Sequence, residues 1–159
     1  MENKNLLIDT HAHVNFNDFK DDYKETIKRA LEENIWMINV GAERKTSERA
    51  EKMAEEYEKG VYAAVGLHPS HLIEQDVEYE ENGETVKYKS KPEEFDYNFY
   101  LNLAKNKKVA GIGECGLDYF RIADESFKKK QKEIFVKHLE LAKEVNKPII
   151  IHCRDAHND

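Results

Sequence analysis

Apolar residues in this chain fall into two patterns: short continuous runs, and stripes that recur every three or four positions. The runs are Leu6 to Ile8, Ile35 to Val40, Val61 to Leu67, Val109 to Gly113 and Ile149 to Ile151. Short apolar runs bounded by turn residues predict strands, and three consecutive isoleucines suit a strand buried on both faces, as in a parallel sheet. The stripes lie between them. Tyr23, Ile27, Ala30 and Leu31 predict a helix over 21–34. Thr46 and Ser47 are candidate helix starters ahead of Ala50, Met53, Ala54 and Tyr57, with Gly60 where that helix should stop. Phe95, Phe99, Leu103 and Ala104 give a weaker third helix. Phe127, Ile134, Phe135, Leu139, Ala142 and Val145 predict the longest one, over 126–146, ended by Lys147-Pro148.

Between about 72 and 92 this rhythm breaks. Asn82-Gly83 separates two alternating segments, Val77 and Tyr79 before it and Val86 and Tyr88 after it, which predicts a hairpin. The segment reads as an inserted β-ribbon whose charges face solvent or help to grip a substrate. Strands alternating with helices define α/β architecture with a parallel sheet. Five strands and four helices at this spacing are part of a TIM-type β/α barrel, whose eight units need about 250 residues. The 159 residues are therefore expected to form a single unit, the N-terminal portion of such a barrel, with open edges through which copies could associate.

Composition narrows the class. The chain is 40% hydrophobic and 36% charged, which suits a globular domain and excludes a disordered or collagen-like one. No apolar run approaches the roughly 20 residues a bilayer span needs, so no membrane partner is expected. The N-terminus does not read as a secretory signal, and Cys115 and Cys153 are far apart, which predicts reduced thiols in a cytoplasmic protein. A net charge of −7 argues against broad adhesion to a phosphate backbone. If the substrate is nucleic acid, bound cations must supply the attraction.

The chemistry sits at the strand ends. LLIDTHAHV sets His11 and His13 two apart, on one face of the first strand. A histidine pair alone is more often simply polar; its weight comes from recurrence. The third strand leads to His68, the fourth to Glu114 and the fifth to His152. In a β/α barrel all these ends share one rim, where active sites are built. Imidazole and carboxylate suit a borderline divalent cation, and a carboxylate can bridge two cations about 3.5–4 Å apart. Gly111 to Gly116 matches the G-x-G-x-x-G of dinucleotide-binding folds, but it lies mostly on and just past a strand and opens no helix, so its glycines are expected to allow close approach instead. Alternation turns Cys115 and Cys153 away from the ligands beside them, as small buried fillers. Asp9 and Asp155 either orient imidazoles or end strands. His71 and His157 are expected at the surface, the KKKQK run of 128–132 on a solvated face, and His138 as a satisfied residue of the long helix.

DTHAHV, GLHPSHL, GIGECGLDYFR and NKPIIIHCRDA together resemble the TatD family of metal-dependent deoxyribonucleases, members of the metallo-hydrolase TIM barrels. The resemblance implies two divalent ions, Mg2+, Zn2+ or Mn2+. It implies that His11 and His13 hold one, that Glu114 bridges both, and that His152 binds the second. It further implies that His68, Arg121 and Arg154 lie near the phosphate of DNA or another phosphodiester, with Glu114 and these three as the catalytic set. The family's further metal-binding histidine and aspartate, on later strands, have no counterpart here. Two other readings remain: a related amide or cyclic-amide hydrolase, and a non-catalytic fragment that keeps a partial metal site.

Overall fold

A computed structural model describes residues 5–74, 76–81, 84–89, 91–120 and 124–159, with the backbone alone considered over 76–81 and 84–89. The main sheet has five strands, all parallel: β1 (Leu7–Ala12), β2 (Ile35–Val40), β3 (Val61–Val65), β6 (Val109–Asp118) and β7 (Ile149–Arg154), in that spatial order. Strands β4 (Asp76–Glu81) and β5 (Glu84–Lys89) form a separate antiparallel ribbon pairing Val77 with Tyr88 and Tyr79 with Val86. This is the insertion expected from the sequence; Asn82 and Gly83 themselves lie outside the described residues. Consecutive strands of the main sheet are spatial neighbours, and a helix follows each of the first four: α1 (Tyr23–Glu32), α2 (Arg44–Glu55), α3 (Tyr97–Ala104) and α4 (Glu125–Val145). The result is a half-barrel of α/β type, as its apolar periodicity predicted.

Local chemistry sets the helix ends. Helix α2 starts at Arg44, two residues earlier than expected: Thr46 does not cap it from outside but sits in its first turn, where Oγ1 accepts from the N–H groups of Ala42 and Glu43. Asp96 and Asp124 cap α3 and α4 by accepting from Phe99 N and Ser126 N. Asn146 closes α4 in the left-handed region at φ 52°. One core fills the space between sheet and helices. Ile27, Ala50, Met53, Tyr100, Ile134 and Leu141 come from the helices, and Met37, Val61, Ala63, Val65 and Ile112 from the strands. The outer strands are bare by contrast. Leu7 and Ile8 on β1 are 59% and 56% exposed, and Ile151 on β7 is 56% exposed.

Helix α4 departs from its expected stripe in an informative way. Leu139 is exposed, while two polar side chains, Gln131 and His138, are fully buried in the stripe. Gln131 belongs to the lysine run expected on a solvated face; among those lysines it turns inward, and its amide pairs with both the N–H and the C=O of Asp118, at 2.8 and 2.9 Å. His138 donates from Nδ1 to the carbonyl of Ile134, and its Nε2 accepts from Leu67 N at 3.0 Å. Buried polar groups persist in a core only when satisfied, and both residues tie the helix to backbone at a strand tip. His138 is thus the satisfied residue expected, though fully interior.

Burial lowers the His138 pKa from 6.5 to about 4, its backbone bond to Ile134 opposing only in part. The unfolded chain binds a proton here at higher pH than the folded one, so the stability this neutral ring supports is complete above about pH 6.5. It is lost as pH falls toward 4. Chemical denaturation across that window should show the wild type losing roughly 3 kcal/mol more than His138→Gln, whose side chain does not titrate. Parallel curves for the two proteins would refute the assignment.

Candidate metal centre

Because the five strands are parallel, their C-terminal ends form one rim. Local contacts shape several of these tips. Strand β1 ends at Ala12, so His11 and His13 straddle its last residue. Asp9 Oδ1 accepts from the backbone N–H of His11 at 3.0 Å, so Asp9 shapes the strand end and does not orient the imidazole. His68 precedes the single turn Pro69–Leu72, with its Nδ1 accepting from Ser70 N at 3.1 Å and lying 2.6 Å from Ser70 Oγ. Two glycines permit close approaches between strand tips. A Cβ on Gly66 would stand 2.8 Å from the backbone of Gly113, and one on Gly116 (φ +142°) would stand 2.1 Å from the carbonyl oxygen of His152. All the glycines of the G-x-G-x-x-G match lie on β6, which supports the reading of close packing over a nucleotide loop.

Glu114 is where the rim converges. Its Oε2 lies 3.2 Å from His11 Nε2; its Oε1 lies 3.0 Å from His152 Nδ1 and 3.9 Å from His68 Nε2. The two oxygens of one carboxylate therefore face different imidazoles. His11, His13 and Glu114 offer donor atoms all within 4.8 Å of one another, and so do His68, Glu114 and His152. Burial by itself would raise the Glu114 carboxyl, but the imidazoles of His68, His152 and His11 together hold it below its usual range. His13 Nδ1 donates to the carbonyl of Val40 at 3.0 Å, which leaves Nε2 bare for a ligand role. The donor chemistry, neutral nitrogen plus carboxylate in two groups sharing one residue, fits divalent cations.

His68 differs from the other imidazoles. Burial and the neighbouring His152 lower its pKa to about 4, so the ring is neutral at pH 7. In a neutral ring whose Nδ1 accepts from Ser70 N, the proton sits on Nε2. His68 thus presents an N–H donor to the rim, and in this tautomer it is no metal ligand although its nitrogen lies among ligand atoms.

Other sequence expectations fare unevenly. Arg154 stacks its guanidinium 3.6 Å above the Phe120 ring at the end of β7, while Arg121 lies outside the described residues. Cys115 is buried as expected, and burial pushes its thiol up. Cys153 is not the buried filler predicted: it is exposed, with Sγ 3.3 Å from His157 Nδ1, because among the described residues β7 is an outer strand of the sheet. His157 is exposed and His71 half-buried; Asp155 follows β7 at φ 55°. Asp118 was missed altogether. It lies four residues beyond Glu114 on β6, and its Oδ2 is 3.0 Å from His152 Nε2. The signal was available in the even spacing of Glu114 and Asp118 along one strand.

A half-barrel of parallel β/α units with imidazoles and a shared carboxylate on its carboxyl rim is the architecture of a metallo-hydrolase. The family model described as TatD related DNase matches residues 8–159, and the chain belongs to that family. It is 41% identical, over 97% of its length, to the uncharacterized metal-dependent hydrolase YabD of Bacillus subtilis, of which it covers 53%. It is 30% identical, over 95% of its length, to the 3'-5' ssDNA/RNA exonuclease TatD of Pantoea ananatis, covering 51% of that protein. The crystal structure of YjjV, a TatD homologue from Escherichia coli, superposes with a TM-score of 0.69 at 28% identity, over 96% of this chain and 52% of that one. The chain thus spans about half the length of the curated relatives it matches. Among the described residues no helix is long and apolar enough to cross a membrane.

Cations that bind only the folded chain raise its Tm by mass action. Titration with Zn2+ or Mn2+ should stabilise the wild type, and His13→Ala should weaken this by at least about 100-fold in apparent Kd, beyond the loss of an outer partner. Equal stabilisation of both proteins would exclude His13 as a ligand.

Proposed function

We propose that this protein is a metal-dependent hydrolase of phosphodiester bonds, a deoxyribonuclease working with two divalent cations. The observation that carries the reading is Glu114, whose two oxygens face His11 on one side and His152 and His68 on the other. His11 and His13 would hold one cation, His152 the other, and Glu114 both. When bound, such ions supply Lewis acidity at a phosphoryl oxygen and lower the pKa of water to near neutrality. The similarity to proteins named as TatD exonuclease supports a nucleic-acid substrate. The negative net charge of the chain is no obstacle, since the ions offset the phosphate's charge at the rim.

The residues of the chain then divide the work. Glu114 stays ionised among its imidazoles and fixes the spacing of the two donor groups. His68 keeps its Nε2–H pointed into the same space, where it donates to a phosphate oxygen, and Ser70 holds its ring from behind. Arg154, steadied on Phe120, offers a planar guanidinium fork to a second oxygen of the substrate backbone. Arg121 is assigned the same task from the sequence alone.

Hydrolysis of a single-stranded oligonucleotide and of an aryl phosphodiester should require added cation, and should fall by at least about 100-fold in Glu114→Gln with the fold retained. His68→Ala should lower kcat by roughly 100-fold, the cost of losing a donor to developing charge, while cation affinity stays at the wild-type value. Turnover of amides in place of phosphodiesters would favour the cyclic-amide hydrolases. Cation binding without any turnover would leave the chain as a metal-holding domain and sink the nuclease reading.

A further inference from the structure

Asp118 has more fixed partners than a chance neighbour of His152 would have. Its backbone N–H and C=O are both held by the buried amide of Gln131 from α4. Its Oδ1 accepts from Phe120 N at 3.1 Å, and its Oδ2 faces His152 Nε2 at 3.0 Å. The other nitrogen of that ring, Nδ1, faces Glu114 Oε1 at 3.0 Å. One imidazole therefore lies between two carboxylates, one restrained by three bonds of its own and the other shared among three imidazoles. A neutral ring has a single N–H to give.

We propose that Asp118 is a positioning residue that keeps the His152 proton on Nε2, so that Nδ1 is the nitrogen free to ligate a cation beside Glu114. This rests on the two-cation reading above and goes beyond it by assigning the ligand atom and the group that selects it. The tautomer of a liganding histidine is set by the bond its other nitrogen makes, and loss of that partner typically costs 10–100-fold in metal affinity. Gln131 extends the chain of restraint one step further, into the helix core. Its position in the lysine run of α4 is explained by this contact, which no surface role would require.

The test is a Zn2+ titration of the chain, read by calorimetry and by imidazole 15N spectra at alkaline pH, with no activity assay involved. In the wild type the His152 ring should carry its proton on Nε2 and the ion on Nδ1. Asp118→Ala should weaken Zn2+ binding by about 10–100-fold with unchanged stoichiometry. Asp118→Asn should keep most of the affinity, because its amide oxygen still accepts from Nε2. Ligation through Nε2 in the wild type, or undiminished affinity in Asp118→Ala, would overturn the proposal. Loss of one equivalent of Zn2+ in both Asp118 variants would also overturn it, making Asp118 a ligand itself. His152→Ala separates the two levels: if it leaves Zn2+ binding intact, the two-cation reading fails. The cation-free spectra then decide for Asp118, with loss of the His152 Nε2–H resonance in Asp118→Ala supporting it and persistence refuting it.

Discussion

Parallel pairing is the constraint on which the rest of this structure depends. In an antiparallel sheet, neighbouring strands would send their ends to opposite sides, and His11, His68, Glu114 and His152 would be scattered between two edges. Because β1, β2, β3, β6 and β7 run the same way, residues more than a hundred positions apart meet on one rim. Gly66, just past β3, and the glycines of β6 then let the strand tips approach more closely than side chains would permit. The convergence is steric before it is chemical.

A half-buried carboxylate costs free energy unless charge and hydrogen bonds surround it. Glu114 meets that condition through imidazoles from three other strand ends, which also makes it a point where two cation sites can share a ligand. The supporting contacts come from behind the sheet. Helix α4 buries two polar side chains in an otherwise apolar stripe, and both grip backbone beside the rim: His138 at Leu67, adjacent to His68, and Gln131 at Asp118. Each exchanges some hydrophobic burial for a fixed strand tip. Precision at a metal centre requires that kind of support, since a ligand free to move by an ångström binds weakly.

Much of this was legible in the chain because the governing signals are local. Short apolar runs separated by amphipathic stripes specify parallel β/α units regardless of register, and Asn82-Gly83 between alternating segments specifies a ribbon. The candidate ligands announced themselves by following directly on the apolar runs. What escaped notice did so for physical reasons. Gln131 looks like a surface residue among lysines until its helix is rotated onto the sheet. Cys153 looks buried if β7 is taken as an inner strand. The part played by Asp118 depends on the β7 register that sets Gly116 opposite His152 and Asp118 opposite Arg154, a pairing no local pattern encodes.

The amino-acid sequence alone determined the α/β class, the order of the elements and the imidazoles and the Glu114 carboxylate that follow the apolar runs, since each follows from periodicity within a few residues. Tertiary structure alone decided which oxygen of Glu114 meets which ring, which nitrogen of His13 and His68 carries the proton, which carboxylates flank His152, and which polar side chains of α4 face inward. Those outcomes are fixed by contacts between segments distant in the chain. They depend on distances of an ångström or less, which only the packed sheet and helices can set.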